Sequence, residues 1–103
     1  MKESNGVIVD SYKLLFEMKM VYSHNQFSRE FLRKSSRYMS WICANNHRRE
    51  PSVEVCVSLY IGIMAVKEKL IEDKEQIKAN RLNDLEIRLW KVITNKSVKP
   101  ILK

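Results

Sequence analysis

Ser23-His24-Asn25-Gln26-Phe27-Ser28-Arg29-Glu30-Phe31-Leu32-Arg33-Lys34-Ser35-Ser36-Arg37-Tyr38-Met39-Ser40-Trp41-Ile42 is the stretch on which the fold turns. It opens with the S-x-x-Q spacing of a capping box, in which the Ser23 hydroxyl accepts the N–H three residues on and the Gln26 side chain reaches back. Phe27 and Phe31, four apart, share one face of the helix that begins there, while Arg29, Glu30 and Arg33 point elsewhere. After Arg33-Lys34-Ser35-Ser36 the apolar pattern resumes at Tyr38, Met39, Trp41 and Ile42. A second short helix from Ser35 or Ser36, capped by one of those serines, is expected. A one-residue choice of register decides whether Met39 and Ile42 or Tyr38 and Trp41 face inward, and the sequence leaves it open.

Upstream, a helix is expected from Asp10, whose carboxylate can cap free N–H groups, to about Tyr22, with Tyr12, Leu15, Phe16, Met18 and Met20 as its apolar surface. Downstream, Ala44-Asn45-Asn46-His47-Arg48-Arg49-Glu50 reads as a polar loop. Pro51-Ser52 then opens a helix, since a proline in the first position leaves no N–H unsatisfied. Val53, Cys56, Val57, Tyr60, Ile63 and Met64 recur every three or four residues, the stripe of a well-buried helix. Gly62 within it costs about 1 kcal/mol unless another helix packs close. Lys67 to Gln76 is strongly charged and reads as a solvated amphipathic helix touching the core through Leu70, Ile71 and Ile77. Leu82, Leu85, Leu89 and Val92 form a short heptad-like seam, widened by Trp90 and Ile93, that needs a partner surface. Between Ala79 and Asp84 the apolar phase shifts, so a break or a rotation of the buried face is expected there.

The chain has 103 residues, of which 45% are hydrophobic and 30% charged, enough for one modest core. Its short apolar runs exclude low-complexity disorder and a membrane span. Met1 to Gly6 shows no secretory pattern, which makes the expected location intracellular. Two glycines, two prolines and no sustained alternation argue against hairpins, so the class is all-α. The expected architecture is five helices with an appended C-terminal amphipathic helix: residues 1–66 as the main domain, 67–94 as a helical extension, and 95–103 as a basic, frayed tail.

Cys43 and Cys56 lie 13 positions apart with no CxxC partner, which removes zinc-ribbon and thioredoxin-like readings; flanking apolar residues favour buried free thiols over a disulfide or redox role. His24 and His47 have no carboxylate or cysteine at metal spacing, so no metal or other cofactor is expected. A Gly-rich phosphate loop and a G-x-S-x-G elbow are both missing. Glu68, Glu72 and Glu75 merely alternate with lysines, so the chain does not read as an enzyme.

Charge is more informative. From Arg29 to Arg49 there are six basic residues (Arg29, Arg33, Lys34, Arg37, Arg48, Arg49) against Glu30 alone, a local balance of +5 in a chain of +7. Cations at the ends of short helices, with Ser35, Ser36, Ser40, Asn45 and Asn46 as neutral donors, suit phosphate and base-edge contacts in a DNA groove. The bland alternative is a solvated basic face whose serines cap and whose asparagines turn.

The segment resembles the helix-turn-helix DNA-binding domain of the phage repressor and Cro type. Ser23, Gln26, Phe27 and Ser28 match the opening of that family's second helix, with Ser28 at its small-residue position. Ser35 to Ile42 looks like the recognition helix, and Asn45 to Glu54 like the following loop and helix start. The family's turn glycine falls on Leu32 or Arg33, and the loop before Pro51 is longer than usual. The residues Phe27-Ser28, Phe31 to Ser35 and Pro51 to Glu54 also resemble a group of small bacterial proteins to which no activity attaches.

The helix-turn-helix resemblance implies that the helix around residues 35–43 enters the major groove of double-stranded DNA. Ser36, Arg37 and Ser40 would meet bases, and Gln26, Arg33, Lys34, Ser35, Asn46, Arg48 and Arg49 would hold phosphates. It further implies a small transcriptional regulator, a repressor, in a bacterial or phage-like cytoplasm, with no membrane and no small-molecule ligand. Such modules pair on two half-sites, so a homodimer through Leu82, Leu85, Leu89 and Val92 is expected, against the alternative that this seam folds back within the chain. The other function in view is a helical adaptor or inhibitor that keeps the fold without reading DNA.

Overall fold

With only two glycines to spend, the chain turns its corners on cations. Lys19 (φ 64°), Arg33 (φ 57°) and Lys74 (φ 62°) occupy the left-handed region, at a cost for L-residues of about 1–2 kcal/mol each. Two of these corners are built alike. Met20 N–H donates to Leu15 O (2.8 Å) and Lys19 N–H to Phe16 O (3.0 Å), and Glu75 N–H donates to Leu70 O (2.8 Å) and Lys74 N–H to Ile71 O (3.0 Å). This is the Schellman pairing, which satisfies the last carbonyls of a helix. It closes the helices that precede it and sends the chain back across the core.

The computed structural model describes residues 3–44 and 51–98. Their elements are α1 (Glu3–Glu17), α2 (His24–Glu30), α3 (Tyr38–Ala44), α4 (Val53–Glu72), α5 (Gln76–Arg81) and α6 (Asn83–Val98), with no strand among the described residues. The all-α class is therefore observed. Helix α4 is the axle: α5 and α6 return along it, α1 packs on α6 and α4, and α2 packs with α3. The core runs through all of them, with Val7, Ile8, Leu15, Phe27, Met39, Leu59, Ile63, Leu82 and Leu89 each fully buried.

Several expectations are corrected by this arrangement. Helix α1 starts at Glu3, not Asp10, and ends at Glu17 rather than Tyr22. Asp10 is no cap but a mid-helix partner of Arg88 (2.9 Å), a contact across 78 positions that no local pattern announces. The Pro51-Ser52 opening of α4 is observed one step later than a proline in the first helical position would put it: Ser52 is the N-cap, its Oγ accepting Val55 N–H at 3.3 Å, and the helix starts at Val53. Helix α4 runs without interruption through residue 66, and Leu70, Ala79, Leu82, Leu85, Leu89, Val92 and Ile93 from residues 67–94 join the same core as the residues before them. Leu70 is buried as expected, while Ile71 and Ile77 face solvent. The phase shift at residues 79–84 is a break, with Leu82 closing α5 before α6 begins. Helix α6 continues to Val98, and of the expected tail residues 99–103 lie outside the described residues.

The seam is the largest correction. Leu82 (0% exposed), Leu85 (4%), Leu89 (0%) and Val92 (7%) are buried within the single chain, because α6 turns this face onto α1 and α4. Burying each such side chain stabilises the fold by about 1.5–3 kcal/mol. The arrangement seen is the alternative in which the seam folds back within the chain. Ion pairs Lys67–Glu86 (2.8 Å), Arg81–Glu17 (2.8 Å) and Arg88–Asp10 line the edges of the same packing.

Candidate nucleic-acid interface

The α2–α3 unit is organised by one serine. Ser28 is fully buried on α2, and its Oγ accepts the backbone N–H of Met39 in the first turn of α3 at 2.7 Å. The first N–H groups of a helix have no intrahelical partner, and here α2 supplies one for Met39 from 11 positions away. The Ser28 carbonyl also accepts Lys34 N–H (2.9 Å), which pins the turn between the helices. A small residue here lets the two backbones approach; its hydroxyl fixes where α3 starts.

That start settles the register. Met39 and Ile42 are buried, Tyr38 is half-buried, and the side chain of Trp41 lies outside the described ones. Helix α3 begins at Tyr38 rather than at Ser35 or Ser36, so Ser35, Ser36 and Arg37 belong to the turn that feeds it, closed by Tyr38 N–H donating to Ser35 O (3.0 Å). The turn spans residues 31–37, longer than the three to four residues typical of the motif. Its left-handed residue is Arg33, where a glycine would be the unstrained choice.

At the N-terminus of α2 the expected box forms with a shift. Ser23 Oγ accepts Gln26 N–H (3.1 Å), while Gln26 Oε1 accepts from Tyr22 N–H (2.7 Å), one residue before the cap. Gln26 Nε2 donates to Glu30 Oε1 (3.3 Å), so its oxygen and one of its two amide N–H groups are engaged within the protein, in the capping role that the S-x-x-Q spacing implies. His24 sits beside it, edge-on to the Tyr12 ring at 4.7 Å, with Nδ1 3.2 Å from Ser40 Oγ. Ser40 is exposed but tied to α2 through this contact. The sequence offered no sign of it, since the two residues are 16 apart and on different helices.

What remains is a basic edge. Arg29, Arg33, Lys34 and Arg37 are exposed, with Ser35 exposed and Ser36 half-buried between them. Among the described residues no carboxylate pairs with any of these four cations. Arg29 was counted in the basic cluster from the sequence but given no contact role, although it lies in the last turn of α2, next to this edge. Lys34 also lies over the Tyr38 ring, 5.9 Å from its centroid. Burial pushes the Tyr38 phenol above its ordinary value, and the Cys56 thiol beneath α3 adds in the same direction. Cys56 is buried as expected. Asn46, Arg48 and Arg49 lie outside the described residues, as does the side chain of Cys43.

Behind the edge, Phe31 packs on α4 where Gly62 has no side chain, and a Cβ at that position would come within 2.7 Å of Phe31 Cδ2. The close approach anticipated for Gly62 is made by this ring. A groove of about 490 Å³ opens alongside, lined by residues that include Glu30, Arg33, Ser58, Ile61 and Ala65. Among the described residues no group of three or more His, Cys, Asp or Glu is placed to hold a metal ion, and no helix is long and apolar enough to cross a membrane.

Neither a curated protein nor a solved structure matches the chain. Residues 8–101 match DUF6626, a family of unknown function, and the chain belongs to that family.

Proposed function

We propose that the protein is a small sequence-specific DNA-binding regulator, acting as a repressor, that lays the α2–α3 edge on double-stranded DNA. The observation that carries this reading is the run of exposed cations Arg29, Arg33, Lys34 and Arg37 without described carboxylate partners, on a turn fixed by the buried Ser28–Met39 bond. Arg37 leads into α3 and is the candidate for bidentate contact with guanine; Ser36 and Ser40 flank it as weaker base contacts. Arg33, Lys34 and Ser35, with Asn46, Arg48 and Arg49, hold phosphates. A regulator of this kind works in the cytoplasm, at the nucleoid.

The test is fluorescence anisotropy of the purified chain against a pool of short duplexes at two salt concentrations. Nanomolar binding to a subset at about 150 mM salt, lost in Arg37→Ala, is expected. Weak, uniform binding that vanishes at that salt would reduce the edge to a general polyanion surface. In that event the second reading, a helical adaptor or inhibitor, gains from the groove beside Arg33, where the exposed Ile61 and small Ser58 and Ala65 leave room for an acidic partner segment.

A further inference from the structure

Helix α6 carries a second stripe that the core does not use. Asn83, Ile87, Trp90 and Thr94 follow one another at four, three and four residues, so they share a face. Ile87 is 55% and Trp90 53% exposed. Trp90 was expected to widen the buried seam. It instead turns outward and lies against Tyr60 of α4, ring centroids 5.6 Å apart. The two residues line an open notch of about 260 Å³ with Tyr60, Glu86 and Lys91.

We propose that this face is an interface between two copies of the chain, with α6 pairing parallel and in register with α6 of a second copy. The flanking charges choose the occupant and its direction. Glu86 immediately precedes Ile87, and Lys91 immediately follows Trp90. In a parallel pair, Glu86 of one copy reaches Lys91 of the other, five positions on, and the two-fold axis repeats the bridge. An antiparallel pair would instead set Glu86 against Glu86 and Lys91 against Lys91. Glu86 already holds Lys67 through Oε1 at 2.8 Å, and Oε2 is left for the incoming ammonium. Asn83 meets its own copy at the start of the stripe, where a polar pair fixes register at some cost in affinity.

The exposed parts of Tyr60, Met64, Ile87 and Trp90 make a patch of roughly 300–400 Å², below the ~800 Å² per partner of a standard interface. A patch of that size belongs to a weak, transient pair. Gly62 meets Phe31 of α2, and Tyr60, two positions away and so about 200° around α4, meets Trp90. The pairing face and the basic edge therefore lie on opposite sides of α4, and self-association leaves Arg33 and Arg37 uncovered. The inference does not depend on the nucleic-acid reading.

Sedimentation equilibrium of the full chain from about 1 to 500 µM tests it. A monomer–dimer equilibrium is expected, abolished in Ile87→Asp with helicity retained, since Ile87 is exposed and its loss leaves the core intact. Lys91→Gln tests direction. Parallel pairing loses two rim bridges and weakens roughly 2- to 30-fold; antiparallel pairing would tighten as a Lys–Lys repulsion is removed. A chain that stays monomeric throughout, a dimer indifferent to Ile87→Asp, or tightening in Lys91→Gln would each overturn the proposal.

Discussion

Replacing Ser28 by alanine isolates the contact on which the α2–α3 geometry depends. The wild-type hydroxyl is fully buried and accepts Met39 N–H at 2.7 Å. Alanine leaves that N–H in the core without a partner, at about 1–3 kcal/mol. Alanine's better helix propensity returns about 0.5 kcal/mol in α2. The net loss is about 0.5–2.5 kcal/mol, a fall in Tm of about 2–20 °C for a domain of this size. Thermal unfolding followed by circular dichroism reads the first number, and hydrogen exchange at the Met39 amide reads its cause, because protection there should drop further than elsewhere in α3. Ser11→Ala is the control. Ser11 is equally buried, but its hydroxyl donates to Val7 O (2.7 Å), a carbonyl one turn back in the same helix, so alanine there orphans no donor and shifts stability by less than about 0.5 kcal/mol. A Ser28→Ala chain that melts with the wild type and keeps its Met39 amide protected would refute the tertiary cap.

Arg33→Gly should separate stability from binding: relief of a left-handed arginine against the greater chain entropy of glycine leaves a net gain of up to about 1 kcal/mol, while the loss of one cation should lower the salt slope of DNA binding by about one. Urea unfolding and anisotropy at several salts read the two halves. Gly62→Ala should destabilise by about 1 kcal/mol, because overlap with the Phe31 ring outweighs the helix-propensity gain; a more stable variant would mean the ring swings freely into the groove. For Tyr38, the folded phenol holds its proton to higher pH than the unfolded one. Its contribution is therefore complete below about pH 10 and is lost as pH rises through the folded pKa. Urea unfolding between pH 9 and 11 should show a stability loss that Tyr38→Phe does not share.

Local patterns carried much of this fold. Ser23 and Ser52 stand immediately before the apolar periodicity of α2 and α4, and both cap as backbone geometry requires. The break near Leu82 was visible as a change of apolar phase. Contacts between distant residues were the part the sequence concealed. Asp10 looks like a cap until Arg88 is placed beside it. The Leu82–Leu89 face looks like a pairing surface until α1 and α4 are seen to cover it, and Trp90, one position from Leu89, then faces the other way. The same holds at the candidate site. Its cations were readable as charge, but the start of α3 depended on a hydroxyl 11 positions away, and Ser40 was already engaged by His24.

The central claim is that the α2–α3 edge is the DNA-binding face, and amide chemical-shift mapping during titration with a duplex at about 150 mM salt tests it most directly. The account predicts shifts concentrated on Arg29, Arg33, Lys34, Ser36, Arg37 and Ser40, with Ile87 and Trp90 unmoved. Shifts centred on α6, or none at that salt for any duplex in the pool, would contradict it.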